Sequence, residues 1–404
     1  MIPVEEALAR ITAAFAPLPA ETVGLSEALG RVLAEDVVAR VTQPPKDVSA
    51  MDGYAVRAAD VAQAPVRLRV VGRIPAGEAY PGVLGAGDAV RIFTGAPLPE
   101  GADAIVIQED TEPDGDHVLI KQSAPTGRHV RPAGLDFRSG EVGVPAGRLL
   151  GARDIGLAAA MNRPWLRVHR RPRVAVLGTG DEVVMPGDPV GPNQIVGSNG
   201  LSLAAFVTAC GGQPMHLGVA PDDRGALAAL ADGARGADLL VTTGGVSVGE
   251  HDLVRAALGD QGLELDFWKI AMRPGKPLLF GRIGATPILG LPGNPVSSLV
   301  CATLFLRPAM DVMLGRKSEA RPPETAVLGT DLGANDRRQD YLRARLTFDS
   351  EGRRVAVPFG RQDSAMLATL ARADCLIVRR PLAAPAKAGE PVEIILLSGG
   401  ALGI

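Results

Sequence analysis

Short apolar runs alternate with segments of helical spacing through the middle of the chain. The runs predict strands at Val174–Leu177, Met215–Val219, Leu239–Val241, Leu265–Trp268, Leu278–Phe280 and Pro287–Leu289. Helices are predicted at Asn199–Cys210, with Ser198 or Asn199 as the cap, and at Asp223–Ala234, Asp252–Leu258 and Val296–Leu314. Such alternation indicates a parallel sheet covered on both faces. Residues 171–315 are therefore predicted to form an α/β domain.

Shorter β-type runs, separated by glycine and proline, dominate the segments on both sides of this domain. Earlier in the chain they predict a small β domain at residues 48–140, with strands at Val66–Val71, Ala89–Phe93, Ala104–Ile107 and His117–Ile120. After the α/β domain they predict a second β domain at residues 316–404, with strands at Tyr341–Phe348, Val355–Val357, Leu376–Val378 and Val392–Leu397 and a helix near Ser364–Ala371.

Helical spacing returns on both sides of the first β domain. Apolar residues between Val4 and Ile11, after Pro3, predict an amphipathic helix. A second helix is predicted from Ser26 toward Val32, and a third at Gly151–Ala160. If these segments belong together, residues 1–47 and 141–170 form one discontinuous domain, into which the β domain is inserted.

Composition narrows the class of protein. A length of 404 residues suggests two to four domains, and a hydrophobic content of 46% supplies ample core material. The net charge of −3 and the 3% aromatic content give no reason to expect nucleic acid as a partner. Three dispersed cysteines, Cys210, Cys301 and Cys375, favour a reduced, cytoplasmic setting over disulfides or a cysteine zinc site. Neither a signal peptide nor a stretch long enough to span a bilayer is expected.

A glycine-rich turn, Thr243–Asp252, follows the strand Leu239–Val241. Gly244, Gly245 and Gly249 allow a tight turn and close approach of the backbone to a ligand. The exposed amides and the following helix amino terminus favour an anion. An ordinary strand-to-helix turn is the alternative, since the pattern matches no standard phosphate-binding motif.

Two further turns of this kind, Gly178–Glu182 and Gly290–Pro295, follow predicted strands. Because turns at the carboxyl ends of parallel strands share one sheet edge, all three are expected to converge on one pocket. Glu182 and Asp252 carry the oxygen ligands that Mg²⁺ prefers. Asp222 lies at the same edge and is either a further ligand or a helix cap.

Three cations, Lys269, Arg273 and Lys276, occur within eight positions of a segment that contains Pro274 and Pro277. Fixed cations beside an anion site suit a phosphate or another oxyanion, and solvated surface charge is the alternative. Four further polar residues give a weaker indication of function. On sequence alone, Arg343 and Ser364 are ordinary surface residues, and Asp52 and Asp136 are loop formers. The chain has no H-E-x-x-H motif, so a zinc hydrolase of that class has little support.

Seven motifs occur in an order that resembles the molybdopterin molybdenumtransferase family (MoeA, with the gephyrin E domain as its animal relative). They are Ser49–Val56, Thr94–Ala96 with Gly101–Asp103, Arg131–Asp136, Thr179–Glu182, Thr243–Asp252, Arg273–Pro277 with Phe280–Gly281, and Gly290–Ser297. The resemblance covers nearly the whole chain. It implies an α/β multidomain protein: a central doubly wound, molybdopterin-binding-like domain, an inserted small β domain, an elongated amino-terminal domain and a carboxyl-terminal β-barrel-like domain.

The resemblance also implies a reaction: molybdate enters adenylated molybdopterin with the help of Mg²⁺, and AMP leaves. The acidic site residues it implies are Asp52, Asp136, Glu182, Asp222 and Asp252, with Glu182 and Asp252 on the metal. For molybdate it implies Arg273, Lys276, Arg343 and Ser364. For the pterin substrate the expected residues are Thr94, Thr179, Gly180, Thr243, Gly244, Gly245, Ser247, Gly249, Lys269, Pro292, Gly293 and Asn294.

The implied assembly is a homodimer whose cleft is completed by the inserted domain of the partner subunit. The upstream molybdopterin adenylyltransferase is a further expected partner, whereas nucleic acid and membrane are not. The chain departs from the family pattern at Arg273, where lysine is common, at Gly197, where aspartate is common, and in the turn Arg361–Ser364. A tungstate-preferring enzyme, a non-catalytic pterin-binding scaffold and a nucleotide-diphosphate hydrolase remain alternatives.

Overall fold

The structure, a computed structural model, describes residues 1–75, 77–245, 257–259, 262–316 and 324–397. The chain divides into two compact units. Unit 1 comprises Met1–Glu21, Gly30–Ala34 and Val168–Ile404, and unit 2 comprises Thr22–Leu29 and Glu35–Arg167. Strands at Ala20–Gly24 and Trp165–His169 lie where the chain passes from one unit to the other. The division into four domains stays a prediction.

A six-stranded sheet forms the centre of unit 1. Its strands, numbered here along the chain, are β1 Arg173–Thr179, β2 Gln213–Ala220, β3 Leu239–Thr243, β4 Leu263–Trp268, β5 Leu279–Ile283 and β6 Thr286–Leu291. Their order in space is β2-β1-β3-β6-β5-β4. Each strand overlaps one of the apolar runs from which it was predicted, and the predicted α/β architecture is confirmed.

One strand, β5, runs against the predicted all-parallel arrangement. Strands β2, β1, β3 and β6 are parallel, whereas β5 is antiparallel to both β6 and β4. Only Gly284 and Ala285 separate β5 from β6, and a parallel crossover needs about a dozen residues or more. Gly284 has a φ of 57°, which suits a tight hairpin. Since β4 again runs parallel to β6, the β4–β5 connection lies at the edge where β1, β3 and β6 end.

Both faces of this sheet are covered, as alternation along β1 shows. Val174 and Val176 belong to one core cluster, whereas Ala175 and Leu177 belong to another. The first cluster receives the helices Asn199–Ala209, Pro295–Cys301 and Arg307–Met313 and the amino-terminal helix Val4–Ala13, and the second receives Arg224–Asp232. The same first cluster also contains Tyr341 and Leu376 from the carboxyl-terminal strands, so this cluster joins one face of the sheet to those strands.

One helical run in the described chain, Pro295–Met313, is long and apolar enough to cross a membrane by length and composition. The expectation that no stretch has this length was wrong, because a π-helical turn, Ala302–Leu306, joins two α-helices end to end. In its most apolar window 67% of the residues are buried. Phe305 and Met310 are fully buried in the core cluster, so the run serves as a core helix of unit 1.

The carboxyl-terminal strands close into a five-stranded barrel. Its strands are Glu324–Leu328, Gln339–Phe348, Arg354–Pro358, Cys375–Arg379 and Pro391–Leu396, with a helix at Leu367–Ala371. Closure arises because Gln339–Phe348 pairs with both Arg354–Pro358 and Cys375–Arg379. The strand Met272–Arg273, from the β4–β5 connection, adds to the barrel by pairing with Gln339–Asp340.

Unit 2 contains a separate six-stranded sheet. In spatial order its strands are Ala104–Ile107, Gly53–Val56, Asp88–Ile92, Val66–Ile74, His117–Ile120 and Thr111–Asp114. Smaller pairs join Val48–Ser49 to Val130–Arg131 and Val37–Val38 to Val142–Val144, and a helix spans Ala152–Ala160. Short 3₁₀ turns occur at Leu25–Glu27, Ala58–Val61 and Gln108–Asp110. The helix predicted from Ser26 toward Val32 was wrong, because Gly30 takes a φ of 72° that ends helical structure.

Candidate functional site

A cavity of 660 Å³ opens at the sheet edge where β1, β3 and β6 end. The structure brings the three glycine-rich turns together here. Predicted site residues that line the cavity are Thr179, Gly180, Glu182, Asp222, Thr243, Gly244, Gly245, Pro292, Gly293 and Asn294. The short paired strands Val183–Val184 and Ile195–Val196 supply another part of the wall. The role of these residues in substrate binding stays a prediction.

Asn199 ties two of the turns together from the first turn of its helix. Its Nδ2 donates to Thr243 Oγ1 at 2.9 Å and to the Gly293 carbonyl at 2.7 Å. Thr243, which is buried, donates in turn to the Pro292 carbonyl at 3.3 Å. These bonds fix the end of β3 against the loop after β6, so the cavity wall is held in place without a ligand.

A positive φ and close neighbours explain why glycine occupies two positions in these turns. Gly244 has a φ of 92°, and a Cβ there would lie 2.7 Å from the Thr179 carbonyl oxygen. Gly180 has a φ of 131°, and a Cβ there would lie 2.6 Å from Glu182 Oε2. A side chain at either position would therefore require both a strained backbone and displacement of a neighbour.

The Thr179 hydroxyl marks a polar position in this wall that lacks a partner within the described chain. Its side-chain oxygen is buried and accepts or donates no hydrogen bond there. Buried hydroxyls are normally satisfied, because an unpaired one has lost its hydrogen bonds to water. A ligand oxygen or nitrogen in the cavity would satisfy it.

Two carboxylates, Glu182 and Asp222, line the cavity. The helix cap, the alternative role considered for Asp222, is the next residue. Asp223 is the N-cap of Arg224–Asp232 and accepts from the Ala226 amide at 2.8 Å. The Asp222 amide donates to Asp181 Oδ1 at 2.9 Å, which fixes the turn after β2 beside the turn after β1. The structure thus places Asp222 at the cavity and assigns the capping bond to Asp223.

The donor set suits Mg²⁺ only as part of a complex with substrate. No group of three or more histidine, cysteine, aspartate or glutamate side chains suitable for a metal occurs in the described ranges. Mg²⁺, however, is commonly held by one or two carboxylates, with phosphate and water completing the shell. Glu182 and Asp222 fit that smaller requirement. The second predicted ligand, Asp252, lies outside the described residues, as do Ser247 and Gly249.

The three cations of the β4–β5 connection are not equivalent. Arg273 forms ion pairs with Asp340 and, at 3.4 Å, with Asp336, and the Asp340 hydrogen bond raises the pKa of the guanidinium. Lys269, which has a φ of 71°, places its Nζ 3.6 Å from the centroid of the Trp268 ring. Neither lines the cavity. Arg273 therefore binds two carboxylates of its own chain, and its predicted role toward molybdate stays a prediction.

Lys276 differs from these two cations. It is half-buried, it forms no ion pair with any carboxylate of the described segments, and the next residue, Pro277, lines the cavity. Its carbonyl accepts from the amides of Ile270 and Leu278, both at about 3 Å, which closes the connection into a tight loop. Lys276, like Lys269, therefore has no carboxylate partner in the described ranges, and it directly precedes a residue of the cavity wall.

Arg343 lies behind the loop that carries Ser364. It is 1% exposed, and its guanidinium donates to Gln362 Oε1 at 3.1 Å and to the Met366 carbonyl at 3.4 Å. Burial lowers the pKa of this arginine. Ser364 Oγ accepts from Asn294 Nδ2 at 2.9 Å, and the next residue, Ala365, lines the cavity. The structure thus joins Ser364 to the cavity wall and gives Arg343 the contacts that hold its loop.

The remaining predicted residues lie in unit 2. Asp52 Oδ1 accepts from both the amide and the hydroxyl of Thr94 at 2.8 Å, and these bonds lower the pKa of the carboxyl group. Asp136 and Gly95, the neighbour of Thr94, line a second cavity of 730 Å³ within this unit. Unit 2 therefore presents a fixed, ionised Asp52 and a separate recess that contains Asp136.

Among the cavity residues that sequence reasoning missed are Asn199 and His216. Asn199 was considered only as a possible helix cap, although Ser198 is the N-cap and neither side chain makes a capping bond. The signal available was the polar, glycine-bounded run Gly197–Gly200, which resembles the other cavity turns. His216 also lines the cavity, where a Cβ on Gly200 would lie 2.8 Å from its Nε2. Nothing in the sequence around His216, which lies within strand β2, indicated that position.

Known protein families match this chain in three consecutive segments. Three family profiles match: "MoeA N-terminal region (domain I and II)" at residues 2–162, "Probable molybdopterin binding domain" at 175–312 and "MoeA C-terminal region (domain IV)" at 325–397. The α/β sheet with its glycine-lined cavity is thus of the molybdopterin-binding class.

Relatives similar over most of their length narrow this class. Molybdopterin molybdenumtransferase 2 of Mycobacterium tuberculosis is 41% identical over 368 residues, which cover 88% of this chain and 90% of that protein. Molybdopterin molybdenumtransferase of Haemophilus influenzae is 34% identical over 94% of each chain. The crystal structure of a molybdopterin biosynthesis MoeA protein from Pyrococcus horikosii is similar with a TM-score of 0.86 and 35% identity, covering 99% of this chain and 100% of that one. The chain belongs to the molybdopterin molybdenumtransferase (MoeA) family.

Proposed function

We propose that this protein inserts molybdate into adenylated molybdopterin and releases AMP, the last step of molybdenum cofactor biosynthesis. Membership of the molybdopterin molybdenumtransferase family supports a transferase of this pathway. The observation that carries the proposal is the convergence of three strand-end turns on one cavity, next to a loop whose Lys276 has no carboxylate partner in the described ranges. Such a site suits a substrate with several negative charges.

The reaction makes two demands on the protein. Bonds form between molybdenum and the two dithiolene sulfurs while molybdenum–oxygen bonds break and the displaced oxygens leave as water. A water molecule attacks the phosphoanhydride, whose cleavage releases AMP. Both require anions to be held close together, which a pocket of fixed donors and cations achieves by orientation and charge neutralisation. The Gly245 amide and the Thr179 hydroxyl hold the pterin-side phosphate, and Lys276 holds molybdate.

Mg²⁺ is the proposed cofactor, and Glu182 with Asp222 or Asp252 would hold it. When bound, the ion neutralises phosphate charge and so favours cleavage of the phosphoanhydride. The family resemblance further supports a cytoplasmic homodimer that receives its substrate from the upstream molybdopterin adenylyltransferase. In that dimer Asp52 and Asp136 act on the substrate held by the partner subunit.

The test measures AMP released from adenylated molybdopterin by the purified full chain, with Mg²⁺ present and molybdate varied. The parent protein should release AMP only when molybdate is added. Lys276→Ala should raise the molybdate concentration needed for half-maximal release at least tenfold. Lys387→Ala is the matched control, because that lysine pairs with Asp331 on the exposed barrel surface at 2.8 Å.

Three results would contradict the proposal, each in favour of one alternative. AMP release at an equal rate without molybdate indicates a nucleotide-diphosphate hydrolase. Pterin binding without any AMP release indicates a non-catalytic scaffold. A half-maximal tungstate concentration well below that of molybdate indicates a tungstate-preferring enzyme.

A further inference from the structure

Two arginines lie side by side in the sheet of unit 2. Parallel pairing of Val66–Ile74 with Asp88–Ile92 places Arg73 opposite Arg91. Both guanidinium carbons lie 4.9 Å from the centroid of the Phe93 ring, and that of Arg91 lies 5.1 Å from the Tyr54 ring. We call Arg73, Arg91, Phe93 and Tyr54 the arginine pair patch. Strand register and ring contacts hold its two positive charges close together.

Neither arginine of the patch forms an ion pair with a carboxylate in the described chain. Arg91 donates to the Gly53 carbonyl at 3.0 Å and to Gln108 Oε1 at 2.7 Å, and both acceptors are uncharged. Arg69, on the same strand as Arg73, instead pairs with Asp88 at 3.0 Å. Like charges directly opposite each other destabilise a sheet. Neither arginine thus has a direct ion pair like that of Arg69 with Asp88, and a bound anion would supply one.

The patch adjoins the predicted site residues of unit 2. Phe93 directly precedes Thr94, whose amide and hydroxyl hold Asp52. The carbonyl that Arg91 binds belongs to Gly53, directly after Asp52. Arg91 is close enough for its charge to contribute to lowering the pKa of Asp52, after the larger effect of the Thr94 bonds. A ligand on the patch would therefore lie next to the Asp52–Thr94 pair.

We propose that the arginine pair patch binds a nucleoside monophosphate. Two adjacent guanidinium groups offer forked, charge-assisted hydrogen bonds to a phosphate dianion. A base can stack on the plane of the exposed Arg73 guanidinium, which the Phe93 ring supports from its other side. The inference rests on the proposed function only for the identity of the base, since the proposed substrate carries an adenylate.

The experiment is calorimetric titration of the full chain with AMP, adenosine and inorganic phosphate in separate arms. AMP should bind more tightly than either of its parts. Arg73→Gln, at an exposed position, should weaken AMP binding at least tenfold, and Phe93→Leu should weaken it several-fold. Arg345→Gln is the matched control: its guanidinium lies 5.6 Å from the Phe359 ring in the carboxyl-terminal barrel, and its loss should leave AMP binding unchanged.

Unchanged AMP binding in Arg73→Gln would overturn the inference, as would phosphate binding as tight as that of AMP or no AMP binding by the parent chain. Thermal unfolding of each variant identifies misfolding, and Arg73→Gln keeps the test valid if Phe93→Leu does not fold. Failure of the proposed function is distinguishable, since AMP release from adenylated molybdopterin is measured separately. Suppose that the parent binds AMP but releases none from adenylated molybdopterin, and that Arg73→Gln loses AMP binding. That result would support the patch and reject the proposed reaction.

Discussion

Asn199 is the residue whose side chain links most of the cavity wall. Replacing it by alanine removes the bonds to Thr243 Oγ1 and the Gly293 carbonyl. Because a bond to the buried Thr243 is lost, Asn199→Ala should lower the free energy of unfolding by about 1–3 kcal/mol. AMP release should fall as well, since the turn after β3 loses its tie to the loop after β6. Urea denaturation and the AMP assay measure the two effects.

Asn193 provides the control for Asn199, because it is exposed and its side chain makes no hydrogen bond within the described segments. Asn193→Ala should change the free energy of unfolding by no more than about 0.5 kcal/mol. Asn199→Asp is informative too, since a carboxylate cannot donate to the Gly293 carbonyl. An Asn199→Asp variant as stable and active as the parent would show that the bridge has no role.

Asp336 gives a pH-dependent prediction. Hydrogen bonds from Arg338, with a further contribution from Arg273, lower the pKa of Asp336 to about 2. An aspartate in the unfolded chain has a pKa of about 3.9. The folded state therefore gains stability from this carboxylate above about pH 4 and loses it as the pH falls toward 2. Asp336→Asn should be less stable than the parent at pH 6, and the difference should shrink by pH 3.

Urea denaturation at pH 6, 4 and 3 measures that difference. Glu390→Gln is the control, since Glu390 is an exposed acid with no ion pair in the part of the chain that the structure describes. Its stability relative to the parent should vary less with pH. A constant difference between Asp336→Asn and the parent across this range would mean that the Arg338 and Arg273 contacts do not form in solution.

At the scale of elements, the turn between β2 and the helix Arg224–Asp232 contains two neighbouring acids with different roles. Asp223 caps the helix, so Asp223→Ala should lower the free energy of unfolding by about 1 kcal/mol and leave AMP release nearly unchanged. Asp222 lines the cavity, so Asp222→Asn should lower AMP release with a smaller effect on stability. The reverse pattern would return Asp222 to the role of a structural residue.

Strand positions followed from the sequence where an apolar run is bounded by polar residues or glycine. Leu239–Val241 lies inside β3, and the run Ala104–Ile107 matches its strand end to end. Strand direction did not follow, because it depends on the two-residue hairpin at Gly284 and not on the apolar runs. The strand Glu324–Leu328 was missed, since only one of its faces is buried and its partners are distant in sequence.

For the candidate site, too, some features could be predicted from the sequence and others could not. Turns that follow strands could be predicted to converge, because every parallel strand brings its carboxyl end to one edge. Side-chain partners could not: Asp340, which binds Arg273, is 67 positions away, and only the pairing of Met272–Arg273 with the barrel brings them together. Three turn residues of the resemblance, Ser247, Gly249 and Asp252, lie outside the described residues, so their roles rest on sequence.

At the scale of unit 1, the β4–β5 connection, which contains Lys269, Arg273 and Lys276, is held from two sides. Strands β4 and β5 fix its ends at the cavity edge, while Met272–Arg273 pairs with the first barrel residues, Gln339–Asp340. Asp340 is buried and holds the Arg273 guanidinium. The barrel thus fixes the middle of the loop. Lys276 lies in the rest of the loop, directly before Pro277 of the cavity wall, and so can respond to an anion there.

The proposed homodimer leads to a prediction for the whole molecule. If Asp52 of one subunit acts on substrate held by Glu182 of its partner, Asp52→Asn and Glu182→Gln should each inactivate both sites of their own dimers. Unfolding and refolding an equal mixture gives heterodimers as half of all dimers, each with one intact site. The mixture should therefore recover roughly a quarter of the parent activity, by random pairing of two subunit types.

AMP release from the refolded mixture measures this recovery, with each variant refolded alone as the control. An equal mixture of Asp52→Asn with Asp136→Asn is the matched test, because both changes lie in unit 2. Every site of its heterodimers then contains one altered residue, so it should recover no activity. Recovery in both mixtures, or in neither, would reject a site shared between subunits. Recovery only with Glu182→Gln would explain why Asp52 and Asp136 are so distant in sequence from the cavity they serve.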